Sequence, residues 1–355
     1  MHTARTVAYA ALLDTVQRLF EGWGFAPPEA LDIAQALVAA DLSGISSHGI
    51  QRLGLYEDII ARGIVQVRAE PCVVRQTPAT AVVDARRAMG QLAALFCMRL
   101  AMQMARQSGV GVVAVRASNH FGTAGYYAQL AAREGLLGVC MTNTCAAMPA
   151  TFGVVPLLGT NPVAFAFPGE PFDFLYDASS TVVSLGKIEV YAKAGKPLPA
   201  PWGLDAEGEP TTDPDAVLRD IYRRPIAGVL PLGGAGETTG GHKGYGQGMM
   251  VEILTAILAG GLTSDEITAG PGDGACHFFA ALDPALFGDP AAMRAHLAAY
   301  FDRLRASNLT DPAQRVYIHG EKEFETREKY LREGIPIQTA IWDEFQALCA
   351  RNGIH

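Results

Sequence analysis

The stretch "GGAGETTGG", residues 233–241, is where this chain comes nearest to the glycine fingerprint of a Rossmann dinucleotide site. That fingerprint, G-x-G-x-x-G, follows a strand and opens a helix, because its glycines let the backbone approach a pyrophosphate. Here the spacing is wrong: after Gly234 and Gly236 the next glycine is Gly240. G-x-x-x-x-G-K-[ST], H-E-x-x-H and G-x-S-x-G are also missing, and the eight histidines do not pair at metal-ligand spacing. The expectation is a chain that takes no metal and holds any nucleotide on another scaffold.

Length and charge narrow the class. A chain of 355 residues, 49% hydrophobic and 18% charged, can bury a large core and form two or more lobes. A net charge of −8 argues against a nucleic-acid or anionic-membrane surface but allows a local basic pocket. None of the six cysteines forms C-x-x-C, and most sit in apolar runs such as "LLGVCM". They read as reduced buried thiols, which points to the cytoplasm. No run of 18 apolar residues occurs, and Asp14, Gln17 and Arg18 make the first segment an amphipathic helix, not a signal peptide.

Helical periodicity covers residues 6–22, 27–44 and 46–63, with Ser46 or Ser47 as the third N-cap. An α/β middle follows. Strands are expected at 72–77, 80–85, 110–118, 136–144, 161–168, 172–179 and 276–284. Helices are expected at 90–109, 122–135 and 181–195, with a long, nearly all-apolar and hence buried one at 243–261. Helices at 289–307, 321–333 and 339–352 close the chain. Since chain ends often meet, one helical lobe from both ends is expected.

The polar clusters sit at element ends. In "ISSHGIQR", 45–52, His48 and Arg52 are i and i+4, on one face if the segment is helical, and Tyr56 continues the row. A histidine moves a proton near neutral pH, and an arginine fork grips a carboxylate. Together they suit a small acid whose neighbouring carbon gains or loses a proton. The same residues also read as a capped helix start with a solvated arginine. "SNHFGTAGYY", 118–127, with His120, suits a phosphate at a helix start or an ordinary capped turn. Thr160 and Asn161 stand at a strand mouth, as donors to a ligand or as an Asn-Pro turn. Asp177 ends a strand before Ser179, to orient a histidine, hold a ribose or cap a helix. His242 and Lys243 precede the long apolar helix, as a phosphate site or a flexible lead-in.

Six segments in order resemble the second-type malate/L-lactate dehydrogenase family: "DLSGISSHGIQRLGLY", "SNHFGTAGYYAQLAAREG", "LLGTNPVAFAFP", the run from "DASSTVVSLGKIEVYAKAGKPLPAPWG" to "PTTDP", "HKGYGQGMMVEILTAILAG" and "VYIHGEKEFE". That family includes sulfolactate and ureidoglycolate dehydrogenases, 2,3-diketogulonate reductase and the reductases of Δ1-piperideine-2-carboxylate and Δ1-pyrroline-2-carboxylate. The resemblance implies an α/β fold with a non-Rossmann cofactor domain around a largely antiparallel sheet, residues 76–314. It implies a helical lobe from residues 1–75 and 315–355, and a homodimer.

The resemblance further implies NAD or NADP as cofactor and a small carboxylate as substrate. His48 would donate the proton in reduction, with Ser47 and Asp177 relaying or orienting it, and His120 as the competing acid/base. Arg52 would anchor the carboxylate, with Thr160 near the substrate. His120, Phe121, Gly122, Thr123, Ala124, Asp177, Ala178, Ser179, His242, Lys243, His319, Gly320 and Glu321 would contact the cofactor. The family's D-M-A-T-S is "DASST" here, and His319 replaces a proline, which puts individual cofactor contacts in question. A cyclic ketimine reductase shares every named residue. A catalytically inactive ligand-binding relative is the rival of another class, and the joint presence of Ser47, His48, Arg52 and Asp177 argues against it.

Overall fold

Seven strands form the central sheet: β1 (Cys72–Gln76), β2 (Thr80–Asp84), β3 (Val110–Ser118), β4 (Leu137–Thr142), β5 (Val163–Phe167), β6 (Phe174–Ala178) and β7 (Ala275–Leu282). The computed structural model that shows this describes residues 5–221, 226–267 and 273–354. Residues 1–4 and 355 of the expected end-derived lobe, and 222–225 and 268–272 of the expected central unit, lie outside the described residues. The strand order is β1-β2-β3-β7-β4-β5-β6. Only the β2–β3 pair is parallel, so the sheet is mostly antiparallel, as expected.

Alternation along the strands sends Val113, Val115, Cys140, Ala164, Ala166, Phe279 and Ala281 to one face. There they meet α4 (Gly90–Ser108) and α5 (Ala124–Arg133) through small residues such as Ala93, Ala94, Ala101, Ala128 and Ala131. Gly109, at φ +85°, ends α4 in the left-handed conformation that glycine takes without a Cβ penalty. The opposite face packs Met141 and Phe278 against Val251 of α8 (Gly241–Glu252).

A second core joins the two chain ends. It takes Leu12, Val16, Leu19 and Phe20 of α1 (Tyr9–Gly22), Ile33 and Leu37 of α2 (Pro27–Leu42), and Leu53, Tyr56 and Ile59 of α3 (Leu53–Ala61). From the other end come Ile335, Ile337 and, on the helix Thr339–Arg351, Ile341, Phe345 and Leu348. The strand Arg5–Val7 pairs antiparallel with Ile335–Ile337. A third, small core of Ala147, Ile188, Leu198, Val217, Ile221 and Val229 lies within residues 76–314. It carries α6 (Leu185–Lys193) and α7 (Pro214–Asp220); the helix expected at 181–195 is shorter, and Thr181 is extended, bridging to Pro231.

Two helical expectations are corrected. Residues 46–63 are not one helix: two single turns, Ser46–His48 and Ile50–Arg52, precede α3 and meet at Gly49. Neither Ser46 nor Ser47 caps it, since the first turn follows Ile45 with no side-chain cap. The buried carboxylate of Asp41 fills the space inside the bend and accepts from Ile50 N–H at 2.7 Å. The long apolar helix of 243–261 is not buried all round. Val251, Thr255 and Ala256 face the sheet, while Met249, Met250, Ile253 and Ile257 form an exposed row, Ile257 at 60%. Being apolar on every side does not say which side is covered.

Candidate active site

The Ser-His turn is set by its glycine. A Cβ at residue 49 would lie 2.0 Å from Asp41 Oδ2, so only glycine lets the chain close over that carboxylate. The bend turns His48 and Arg52 to one cleft by a route other than helical spacing. Arg52 Nε donates to Ser47 O at 2.7 Å, folding the guanidinium back beside the histidine.

His48 Nδ1 lies 2.9 Å from Ser47 Oγ, which leaves Nε2 for the cleft. Its ring stacks on His120, with centroids 6.0 Å apart and planes 17° from parallel. His120 comes from the loop between β3 and α5, and its Nδ1 lies 2.8 Å from Tyr56 Oη. Burial lowers His48 to about 4, with the Arg52 charge adding to the shift. His120 is held well below the usual imidazole range by burial, and then by His48, Arg52 and His277. Both rings are therefore neutral near pH 7 in this environment. A neutral imidazole is a base for the hydroxyl proton of a hydroxy acid. The reverse step needs an imidazolium, which a bound carboxylate favours by cancelling the Arg52 charge.

The cleft has two lobes that share His48, Gly122, Thr160, Pro162 and Ser184. The inner lobe, about 350 Å³, is lined by Arg52, His120, Phe121, Asn143, Thr144 and Glu189 among others. The outer lobe, about 360 Å³, is lined by Ser47, Thr123, Ala124, Asp177, Ala178 and Ser179, and runs out to Arg133 and Arg327. Asp177, on β6, accepts from Gly125 N–H in the first turn of α5 at 2.7 Å. The protein packed around its carboxyl pushes it up to about 6, and the Gly125 bond opposes this. The group opens to solvent along the cleft, and water screening works against that rise.

The structure thus brings Ser47, His48, Arg52, His120, Thr160 and Asp177 to one cleft. Asp177 makes its hydrogen bond to Gly125, not to His48. Phe121 lines the inner lobe, but its ring is core, stacked on Tyr127 at 4.9 Å and near His277 at 4.5 Å. Asn161 is fully buried, and its amide serves Gly248 O and Glu252 instead of a ligand.

The other expected cofactor contacts lie elsewhere. His242 and Lys243 are exposed at the start of α8 and line neither lobe. His319 is exposed, edge-on to Tyr176 at 5.4 Å, and its carbonyl accepts from Leu175 N–H. Gly320 lines a neighbouring cavity with Arg133, Asp173 and Arg327. The Glu321 carboxylate is taken by Ile318 N–H at 2.9 Å and by Arg305 at 3.3 Å. Glu189 was missed by sequence reasoning. It lies 137 positions from Arg52, and nothing in "GKIEVYAK" marks its partner.

The family model described as malate/L-lactate dehydrogenase matches residues 7–346. The chain is similar to the malate dehydrogenase of Pyrococcus horikoshii, 38% identical over 345 residues that cover 97% of this chain and 94% of that protein. It is also similar to Delta(1)-pyrroline-2-carboxylate reductase 2 of Burkholderia multivorans, 32% identical over 341 residues, 93% and 94% of the two. Among solved structures, the malate dehydrogenase from Entamoeba histolytica superimposes with a TM-score of 0.96 at 31% identity, covering 99% of each chain.

Proposed function

The chain belongs to the malate/L-lactate dehydrogenase family, and on that premise we propose that it transfers a hydride between a nicotinamide cofactor and C2 of a small 2-oxo or 2-hydroxy acid. The observation that carries this reading is the shared cleft: a proton-transfer pair, His48 and His120, beside a guanidinium, Arg52. The outer lobe fits a dinucleotide. It is lined by Gly122 to Ala124 ahead of α5 and by the cations Arg133 and Arg327. Those groups, with Asp177 to Ser179, would hold NAD or NADP outside a Rossmann frame. When bound there, the cofactor supplies or accepts the hydride.

The protein's part is orientation and proton transfer. Arg52 holds the carboxylate so that C2 faces the outer lobe. Charge that develops on the C2 oxygen during reduction is quenched by a proton from His48. Ser47 fixes the ring from Nδ1, and Asp177 supplies negative potential across the cleft. Thr160, at the junction of the lobes, lies where the reacting atoms would meet.

A cyclic ketimine reductase is the second reading. The similarity to a pyrroline-2-carboxylate reductase supports it, as does the acid Glu189 in the inner lobe, which suits a protonated imine. Loss of reduced-nicotinamide absorbance with pyruvate, oxaloacetate, diketogulonate and Δ1-piperideine-2-carboxylate, each with NADH and with NADPH, separates the readings. Turnover of an open-chain oxo acid supports the first, turnover of the imine alone supports the second, and no turnover of any acid contradicts both.

The setting follows the same reading. Among the described residues no helix is long and apolar enough to cross a membrane, and no disulfide joins any of the six cysteines. Those thiols support the cytoplasm as its location. The exposed row on and after α8 supports a homodimer that covers it.

A further inference from the structure

The seat that this function gives to the substrate carboxylate already has an occupant. Glu189, on α6, meets the Arg52 fork end-on, one oxygen 3.3 Å from Nη1 and the other against Nη2. Gln51 Nε2 donates to the same carboxylate at 3.1 Å. The third side of the guanidinium is committed too, since Nε donates to Ser47 O. The pair is largely enclosed, and α6 rides close over it: a Cβ at Gly186 would lie 2.5 Å from Arg52 Nη2. Among the described residues lining the inner lobe, Arg52 is the only lysine or arginine and Glu189 the only acid.

We propose that Glu189 is a specificity-determining residue, an internal counter-ion that a substrate carboxylate must displace from Arg52 and whose charge then disfavours a second carboxylate in the lobe. The inference rests on Arg52 being the carboxylate anchor. A guanidinium with Nε already bonded offers one end-on fork, and two carboxylates cannot both take it in bidentate fashion. Once displaced, Glu189 stays on α6 and so stays near the lobe. With one cation and one resident anion, the lobe balances a single carboxylate poorly and two carboxylates worse. A carboxylate with a cationic neighbour, such as a protonated cyclic imine, gains a partner in Glu189. Like charges brought together in a desolvated site are a common means of rejecting the wrong ligand.

Oxamate and oxalate test this, being nearly isosteric analogues of 2-oxo acids with one and two negative charges. Calorimetric titration of the full-length wild type, Glu189→Gln and Arg52→Ala, with NADH or NADPH present, reads their affinities without turnover. Glu189→Gln is expected to bind oxamate several-fold tighter and oxalate roughly tenfold tighter or more, shifting the ratio toward the dianion. Glu189→Ala, which removes the competing group entirely, is expected to shift the ratio the same way. Unchanged or weaker oxalate binding in both Glu189 variants, with Arg52→Ala weak, overturns the proposal alone and leaves Glu189 as a brace for Arg52. Arg52→Ala binding both analogues like the wild type removes the anchor, and this proposal with it. Binding too weak to measure in every protein also counts against it.

Discussion

His48 and His120 lie stacked in one cleft, and each ring is held at Nδ1 by a different hydroxyl, Ser47 Oγ for His48 and Tyr56 Oη for His120. Two imidazoles this close disfavour double protonation, so one of them carries the proton at a time. With His48 as donor, the hydroxyl that matters is that of Ser47. Ser47→Ala is expected to lower kcat about tenfold, while Tyr56→Phe changes it by no more than about threefold, the scale of a single hydrogen bond. Steady-state kinetics on the two variants checks this, and the reverse ranking assigns the proton to His120.

Arg52 is expected to act mainly in binding. Arg52→Ala should raise KM for the oxo acid on the order of 100-fold, the scale of a lost charge-assisted pair, with a smaller change in kcat. Arg52→Lys should recover only part of this, because an ammonium lacks the planar fork. A KM unaltered in both variants contradicts the assignment.

Asp177 gives the pH dependence. Its carboxyl, raised to about 6, is charged only above that pH. If that charge supports His48, kcat/KM for hydroxy-acid oxidation falls as pH drops through about 6. A second loss follows near 4, as His48 becomes protonated in the free enzyme. In Asp177→Asn the limb near 6 disappears and the activity above it is reduced. A wild-type profile whose only inflection lies at an ordinary histidine value contradicts both shifts.

The bend at Gly49 links stability to pH through Asp41. Burial raises its carboxyl to about 7, against the bond from Ile50. In the unfolded chain it titrates at the ordinary aspartate value of 3.8, so between the two values the folded state holds a proton that the unfolded state has lost. The stabilisation is complete below about 4 and fades as pH climbs to 7. Asp41→Asn keeps an acceptor for Ile50 and has no charge to bury, so its stability relative to wild type should rise across that window. Urea unfolding at both ends of it gives the difference. Gly49→Ala should lose about 1–3 kcal/mol at any pH, through forced overpacking against Asp41.

Much of the frame is legible in local sequence. The helices of the chain ends and the strand at 110–118 follow from periodicity and from glycine stops such as Gly109. What periodicity cannot show is contact across the chain. Strand β7 enters the sheet between β3 and β4, a choice made by packing across more than 130 residues. The break at Gly49 depends on a carboxylate eight positions earlier, and helical spacing reached the right pair of residues through the wrong conformation. Glu189 meets Arg52 only because the third core presses α6 onto the Ser-His turn. The uncovered side of α8 carries the same apolar residue types as its buried side, so sequence alone cannot tell the two apart.

The most direct measurement is rapid-mixing turnover by His48→Ala with the best acid of the panel, alongside cofactor binding read from nicotinamide fluorescence. Cofactor affinity close to wild type and a rate on the order of 10²–10⁴ lower are expected, the usual share of a positioned acid or base. A His48→Ala protein that reduces the same acid at the wild-type rate would contradict His48 as the proton donor.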